Sequence, residues 1–182
     1  MVNKARLLTM QTLHSERTRL DLMTPEDWPH FLYLQTHPKL MTFIRPILPE
    51  STIREMFELR TAPITWIEQR WYAFVIREAN SDMFLGSIAF KIVDTDNARA
   101  EIGYLSHENA QGKGYMTEAA TCLLHFLFAE LNLKKVIAQC ATENIGSWKV
   151  MEKIGMQREG ELKANQYLNG KWYDSYYYGL VN

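Results

Sequence analysis

The chain has 182 residues, of which 47% are apolar and 23% charged, as expected for a globular domain with one hydrophobic core. Its formal net charge of −1 argues against general nucleic-acid binding, which depends on many Lys and Arg contacts to phosphates. We find no membrane-length apolar run and no signal-peptide core, so we expect a cytoplasmic protein without membrane association. Cys122 and Cys140 lack metal-ligand spacing, and we expect no metal site.

The first third of the sequence predicts an arm, a strand and two helices. Residues 1–16 show no clear periodicity, so we expect a loose N-terminal arm or the remnant of a tag before a domain over residues 17–182. Weak alternation over residues 18–23 predicts a strand, and Thr24-Pro25 predicts the start of a helix. Thr52 and Glu55 have the spacing of a capping box at the second helix.

The remaining sequence alternates between strand and helix signals. Turn sequences separate three β-rich runs, which indicates an antiparallel meander. The predicted elements are strands over 71–77, 84–93, 98–106 and 135–141, helices over 117–131 and 145–154, and a hairpin of 156–168 with 171–180. About four helices on a mostly antiparallel sheet give an α+β (mixed α/β) fold in a single domain.

Residues 111–117 form a glycine-rich turn between a strand and a helix. Gly112 and Gly114 let backbone N–H groups approach a ligand, and the following helix adds its unpaired N–H donors and positive dipole end. Such a position binds phosphate. Because Lys113 lies between the glycines, the turn is not a nucleotide-triphosphate P-loop. The spacing alone is equally compatible with a turn that binds nothing.

Three segments together resemble the GNAT N-acetyltransferase family, in particular its RimJ/RimL type, which acetylates protein N-termini including those of ribosomal proteins. They are residues 100–104, 111–119 and 144–156, and the Tyr167–Gly170 turn of the last hairpin also matches. The resemblance covers residues 17–182. It implies a GNAT-like domain whose twisted sheet splays apart at an acetyl-CoA site.

The resemblance assigns acetyl-CoA to two neighbouring segments. Backbone N–H groups would hold its pyrophosphate at Gln111, Gly112, Lys113, Gly114, Tyr115, Met116 and Thr117. The strand Tyr104, Leu105 and Ser106 would pair with the pantetheine arm, and one of its N–H groups would polarise the thioester carbonyl. Gly103 suits a bulge that frees an N–H group there, or simply close packing.

Two residues of the next helix complete the implied site. Asn144 is suited to cap the helix and, by the resemblance, also to contact CoA. Many GNAT enzymes place a Tyr at the position of Met151 to protonate the CoA thiolate, which Met cannot do. The resemblance therefore gives that role to Ser147, although a serine within a helix is more often solvated or bonded to the backbone.

The general base and the acceptor stay open at this point. RimJ/RimL-type enzymes can carry a Glu where this chain has Gln166, and Gln cannot accept a proton. The best candidate for the base is then Glu101, acting through water. An equally supported interpretation is that Glu101 is only a solvent-exposed acid at the edge of its strand. We expect direct attack on the thioester by a protein α-amino group, with a substrate wall from the first two helices, residues 41–49 and the last hairpin. The alternatives are a small-molecule amine or a non-catalytic acyl-CoA sensor, as a monomer or homodimer.

Overall fold

The computed structural model describes residues 1–182, which form one mixed sheet flanked by helices. The eight strands are β1 (Leu13–His14), β2 (Thr18–Leu22), β3 (Tyr72–Glu78), β4 (Phe84–Asp94), β5 (Arg99–Ser106), β6 (Lys135–Ala141), β7 (Gln157–Leu168) and β8 (Lys171–Val181). The six α-helices are α1 (Lys4–Leu8), α2 (Trp28–Thr36), α3 (Pro38–Met41), α4 (Glu50–Thr61), α5 (Tyr115–His125) and α6 (Ile145–Lys153). The predicted α+β fold is confirmed, and the two helices beyond the expected four are the short α1 and α3.

The sheet is open, with the order β1-β2-β3-β4-β5-β6-β8-β7. All neighbours are antiparallel except β5 and β6, which are parallel and pair only from Arg99–Lys135 to Glu101–Ile137. Beyond Glu101 the two strands continue without pairing, so the sheet opens at their C-terminal ends. Since α5 follows β5 and α6 follows β6, both helices begin at this opening.

Helices cover both faces of the sheet. A cluster of 31 buried hydrophobic residues lies on the α5 side, and a cluster of seven lies under α2 and α4. Alternation along β3 distributes Phe74 to the larger cluster and Val75 to the smaller one, and both are fully buried. None of the helices has the length and apolar content needed to cross a membrane.

The N-terminal segment is packed into the core, so the expectation of a loose arm was wrong. Leu7 on α1 is fully buried, and Val2, Met10 and Leu13 belong to the larger cluster. The Arg6 guanidinium lies 2.6 Å from the Glu130 carboxylate. The sequence showed no periodicity here because a five-residue helix and a two-residue strand are too short to display one.

The helix starts agree only in part with the predictions. The Thr24 start is confirmed: its N–H donates to the Asp27 carboxylate at 2.9 Å before a 3₁₀ turn that leads into α2. The capping box at Thr52 does not form, because α4 already begins at Glu50, directly after Pro49. Helix α5 begins at Tyr115, two residues before the predicted start, and ends in a π-helical turn, Phe126–Glu130.

Candidate active site

The gap between β5 and β6 opens into a cavity of about 840 Å³. The glycine-rich turn and the start of α6 form one part of its wall, and α3 and the residues after it form another. Ten of the predicted site residues line it through their own atoms: Tyr104, Leu105, Ser106, Gln111, Gly112, Gly114, Met116, Thr117, Asn144 and Ser147. Glu101 lines it as well, where the two strands part.

The turn before α5 leaves its backbone donors free. Gly112 and Gly114 have φ values of +74° and +83°, in the left-handed region that favours glycine. The N–H groups of residues 112–117 donate no hydrogen bond within the protein; the first bond of the helix runs from Glu118 N–H to Gly114 O. These free donors coincide with the positive end of the α5 dipole, so the turn can bind an anion through its backbone.

The outer side of this turn is held by the segment before β2. The Glu118 carboxylate accepts hydrogen bonds from the Arg17 N–H at 2.6 Å, the Arg17 Nε at 2.7 Å and the Ser15 hydroxyl at 2.8 Å. Arg17 also donates to the Lys113 carbonyl at 3.2 Å. Partial burial raises the pKa of Glu118, but the hydrogen bonds outweigh it and hold that pKa below its ordinary value.

Two predicted residues of the turn face away from the cavity. Tyr115 donates its hydroxyl hydrogen to Glu78 at 2.6 Å, and the Arg17 guanidinium lies 5.0 Å from its ring centre. The Lys113 side chain is exposed and does not line the cavity either. Lys113 and Tyr115 therefore have only backbone N–H groups to offer a bound anion.

Strand β5 forms the wall next to the turn. Gly103 pairs regularly with Ala89, and the irregular register of this strand pair lies at the other end, near Asp94. A Cβ at Gly103 would come within 3.4 Å of the Trp71 ring. The bulge considered for Gly103 is therefore absent, and a Cβ there would meet the Trp71 ring at contact distance.

The start of α6 brings Ser147 to the opposite wall. Asn144 caps the helix by accepting a hydrogen bond from the Ser147 N–H at 3.3 Å, which confirms its predicted capping role. The Tyr104 hydroxyl donates to the Ser147 carbonyl at 2.9 Å and accepts from the Ser147 hydroxyl at 3.4 Å. Burial raises the pKa of Tyr104 well above its usual value.

The side-chain contact between Tyr104 and Ser147 was missed by sequence reasoning, which used only the backbone of Tyr104. Alternation along β5 offered a signal, because Tyr104 shares a face with the buried Ile102 and so projects toward the helices that follow β5 and β6. The partner on α6 is 43 residues away in the sequence, and no local pattern identifies it.

Cys140 also lines the cavity, close to Ser147. Burial raises its pKa to about 11, so the thiol keeps its proton at neutral pH. A protonated thiol is a poor nucleophile, in agreement with direct transfer that needs no covalent enzyme intermediate.

The two groups considered in connection with the general base have different surroundings. The Glu101 carboxylate lies 3.0 Å from the Lys91 ammonium group, and its side chain is 29% exposed. It is therefore a half-buried, ion-paired acid at the point where the pairing of β5 with β6 ends. Gln166 also lines the cavity, and its buried Oε1 atom accepts no hydrogen bond.

The cavity carries an excess of positive charge. Glu101 is paired with Lys91, and Glu143 with Lys171 at 2.7 Å. Lys39, Lys149 and Lys153 also line the cavity, and none of them forms an ion pair. A polyanion is therefore favoured as an occupant, although the whole chain is close to neutral.

A model of the acetyltransferase (GNAT) domain family matches residues 17–157. The chain belongs to the GNAT acetyltransferase family. The match contains the glycine-rich turn, β5, β6 and α6, which are the elements that surround the cavity. The chain is therefore an acetyltransferase at the family level, which confirms the resemblance drawn from its three segments.

Several members of the family are similar over most of the chain. An uncharacterized N-acetyltransferase, p20 of Bacillus licheniformis, is 29% identical to this chain. The alignment covers 94% of this chain and 97% of the p20 sequence. A crystal structure of a GNAT acetyltransferase from Bacillus anthracis is 27% identical, with a TM-score of 0.82 over 94% of this chain and 98% of its own. The ribosomal-protein-serine acetyltransferase of Escherichia coli K12 is 30% identical over 63% of this chain and 64% of its own.

One further solved structure shows the fold with its ligands. It is spermidine N-acetyltransferase from Vibrio cholerae in complex with CoA and spermine, with a TM-score of 0.80 and 20% identity over 92% of this chain and 96% of its own. Proteins of this fold thus include CoA-binding enzymes.

Proposed function

We propose that the protein is an acetyl-CoA-dependent N-acetyltransferase that acts on the α-amino group of a protein N-terminus. The observation that carries the proposal is the row of free N–H groups at residues 112–117, in the wall of a cavity that continues along β5 to Ser147. These donors would hold the pyrophosphate of acetyl-CoA, and the unpaired edge of β5 beyond Glu101 would accompany the pantetheine arm.

The reaction follows from this placement. A neutral amine nitrogen attacks the thioester carbon, and an N–H group of residues 104–106 stabilises the charge that develops on oxygen. The C–N bond forms, the C–S bond breaks, and the electron pair stays on sulfur. Ser147 donates a proton to that sulfur and regains one from solvent, while the nitrogen releases one proton to solvent, so protons and charge balance.

An α-amino acceptor suits a site without a strong base. Such an amine has a pKa of about 7.7–8.0, so roughly a tenth or more is neutral at pH 7, whereas a Lys amine is neutral in only about one molecule in a few thousand. Gln166 cannot accept a proton, and Glu101 is bound to Lys91. Both observations favour an acceptor that loses its proton easily.

The positive charge of the cavity also disfavours a polyamine as the acceptor. A polyamine would meet the unpaired Lys39, Lys149 and Lys153, and it would find the cavity carboxylates of Glu101 and Glu143 already paired with lysines. The name of the Escherichia coli relative, which describes acetylation of a ribosomal protein, supports a protein acceptor. The fold shared with spermidine N-acetyltransferase supports a small-molecule amine as the second candidate.

Release of CoA thiol from acetyl-CoA tests the proposal. The panel holds peptides with Ser, Ala, Thr or Met at a free N-terminus, the same peptides with a blocked N-terminus and an internal Lys, and a set of polyamines and aminoglycosides. We expect release only with free N-termini. Release confined to small amines would establish the second candidate instead.

Measuring CoA binding by the same protein distinguishes an inactive CoA-binding protein from one that binds no CoA. Tight binding of CoA without release across the whole panel would contradict the proposed activity and support an acyl-CoA sensor. A protein that binds no CoA would contradict every version of the proposal.

A further inference from the structure

We propose that Tyr104 is a positioning residue for Ser147: its hydroxyl group ties the first turn of α6 to β5 and fixes the orientation of the serine hydroxyl. The inference rests on the proposed function, because that function makes Ser147 the proton donor to the departing sulfur. It adds a side-chain role for Tyr104, whose backbone lies along the path proposed for the pantetheine arm.

The two hydrogen bonds join groups on opposite walls of the opened sheet. The Tyr104 hydroxyl donates to the Ser147 carbonyl at 2.9 Å, and the Ser147 hydroxyl donates to the Tyr104 oxygen at 3.4 Å. A phenol has one hydrogen to donate, so the oxygen that gives it to the carbonyl remains available as an acceptor. Tyr104 therefore contacts both the backbone and the side chain of Ser147.

Without this partner the serine hydroxyl would have several choices. A serine side chain occupies three staggered rotamers, and within a helix it competes for backbone carbonyls of the preceding turn. The acceptor on β5 favours the rotamer that keeps the hydroxyl on the cavity side of α6, where Cys140 is also within hydrogen-bond reach. The longer distance of this bond, 3.4 Å, leaves the hydroxyl able to turn toward a sulfur atom when charge develops there.

The Tyr104 phenol orients the Ser147 hydroxyl, and Ser147 supplies the proton to the departing sulfur. Burial holds the pKa of Tyr104 far above neutral, so Tyr104 keeps its own proton throughout the reaction. Its bond to the Ser147 carbonyl persists when Ser147 gives its proton to sulfur, and the serine is returned to the same rotamer afterwards.

Another tyrosine that is hydrogen-bonded to α6 provides a matched control for the loss of the Tyr104 hydroxyl. Tyr178, on β8, donates its hydroxyl hydrogen to the Glu152 carboxylate on α6 at 3.1 Å. Tyr178 does not line the cavity. Tyr178→Phe thus removes a tyrosine hydroxyl bonded to the same helix without touching Ser147, and it reports the cost of loosening α6 alone.

The experiment measures the thiol pKa of bound CoA from the ultraviolet absorbance of the thiolate, which needs no acceptor. The proteins compared are the wild type, Tyr104→Phe, Ser147→Ala, the double variant and Tyr178→Phe. A hydrogen bond from Ser147 to the thiolate lowers that pKa, so we expect Ser147→Ala to raise it by about 0.5 to 1. Tyr104→Phe should raise it in the same direction, the double variant should match Ser147→Ala, and Tyr178→Phe should match the wild type.

Turnover gives the second readout. With the acceptor that the panel identifies, Tyr104→Phe should lower kcat about 3- to 10-fold, with little change in the KM for acetyl-CoA. It should have no further effect in the Ser147→Ala background, because its action passes through Ser147.

The possible failures are distinguishable. A Tyr104→Phe protein with the wild-type thiol pKa, or one whose effect adds fully to that of Ser147→Ala, overturns the positioning role and leaves the proposed function intact. A wild-type protein that does not bind CoA overturns both.

Discussion

The two ends of the cavity are built in different ways. At the proposed cofactor end, the free backbone N–H groups of residues 112–117 belong to a turn held by the Arg17 bonds to Glu118 and Lys113, and Asn144 caps the neighbouring helix α6. At the proposed acceptor end, the wall consists of side chains, among them Phe43 and Ile44 after α3 and Gln166 on β7.

This difference separates what is common to the family from what distinguishes its members. A backbone site depends on a few glycines and a helix start, so it tolerates changes in most side chains. A side-chain wall changes with each substitution. Variants at the cofactor end should therefore affect every acceptor equally, and variants at the acceptor end should change the choice of acceptor.

The largest effect is expected from Ser147→Ala. Loss of a general acid costs about 100-fold in kcat or more, while the Kd for CoA should stay within about threefold because the backbone contacts remain. Steady-state CoA release and calorimetric CoA binding measure the two quantities. Equal turnover in the variant would remove Ser147 from the mechanism.

Gly114→Val should weaken CoA binding about 10- to 100-fold. A β-branched residue is strained at a φ of +83°, and relief of that strain would turn the N–H groups of the turn away from the anion. Gly160→Val serves as the control, because Gly160 has ordinary φ and open space around it. Similar losses in both variants would indicate general destabilisation.

Phe43→Ala should raise the KM for the acceptor about 10-fold and leave the KM for acetyl-CoA unchanged. Phe43 lines the cavity and packs edge-on against Tyr173, with ring centres 5.8 Å apart. Trp172→Ala is the matched control, because that aromatic is 60% exposed and does not line the cavity. A parallel change in both KM values would contradict the separation of the two ends.

Gln166→Glu should alter the rate at pH 8 by less than about threefold, because an α-amino acceptor near its own pKa needs little help from a base. Initial rates from pH 6 to 9 test this expectation. A rise of about tenfold or more would show that the missing carboxylate limits the reaction and would favour a more basic acceptor.

Glu118→Gln should lower the free energy of unfolding at pH 7 by about 1 kcal/mol, a modest value because its partner Arg17 is half exposed. The folded-state pKa of Glu118 lies below its ordinary value, so its contribution is present above about pH 4.5 and is lost as the pH falls through the folded-state pKa. Urea unfolding at pH 7, 5 and 3.5 should therefore show the two proteins converging only at the lowest pH.

The contrast between a site made of local backbone and a wall made of distant side chains also explains which features the sequence could predict. The glycine-rich turn, the Asn144 cap and the strand-to-helix order are local patterns, and short-range backbone chemistry determines them. The Tyr104–Ser147 contact, the Lys91–Glu101 pair and the Arg17–Glu118 bonds join residues distant in sequence, and only the folded sheet brings them together. The packing of residues 1–16 escaped prediction for the same reason.

The position of β8 determines when the site can form during synthesis. This strand follows every other element in the sequence, yet it lies inside the sheet, between β6 and β7. Until residues through Val181 have left the ribosome, β6 is an open edge beside the cavity and β7 has no neighbour. A nascent chain should therefore complete the cavity late, and until then the unpaired β6 edge is open to pairing with other chains.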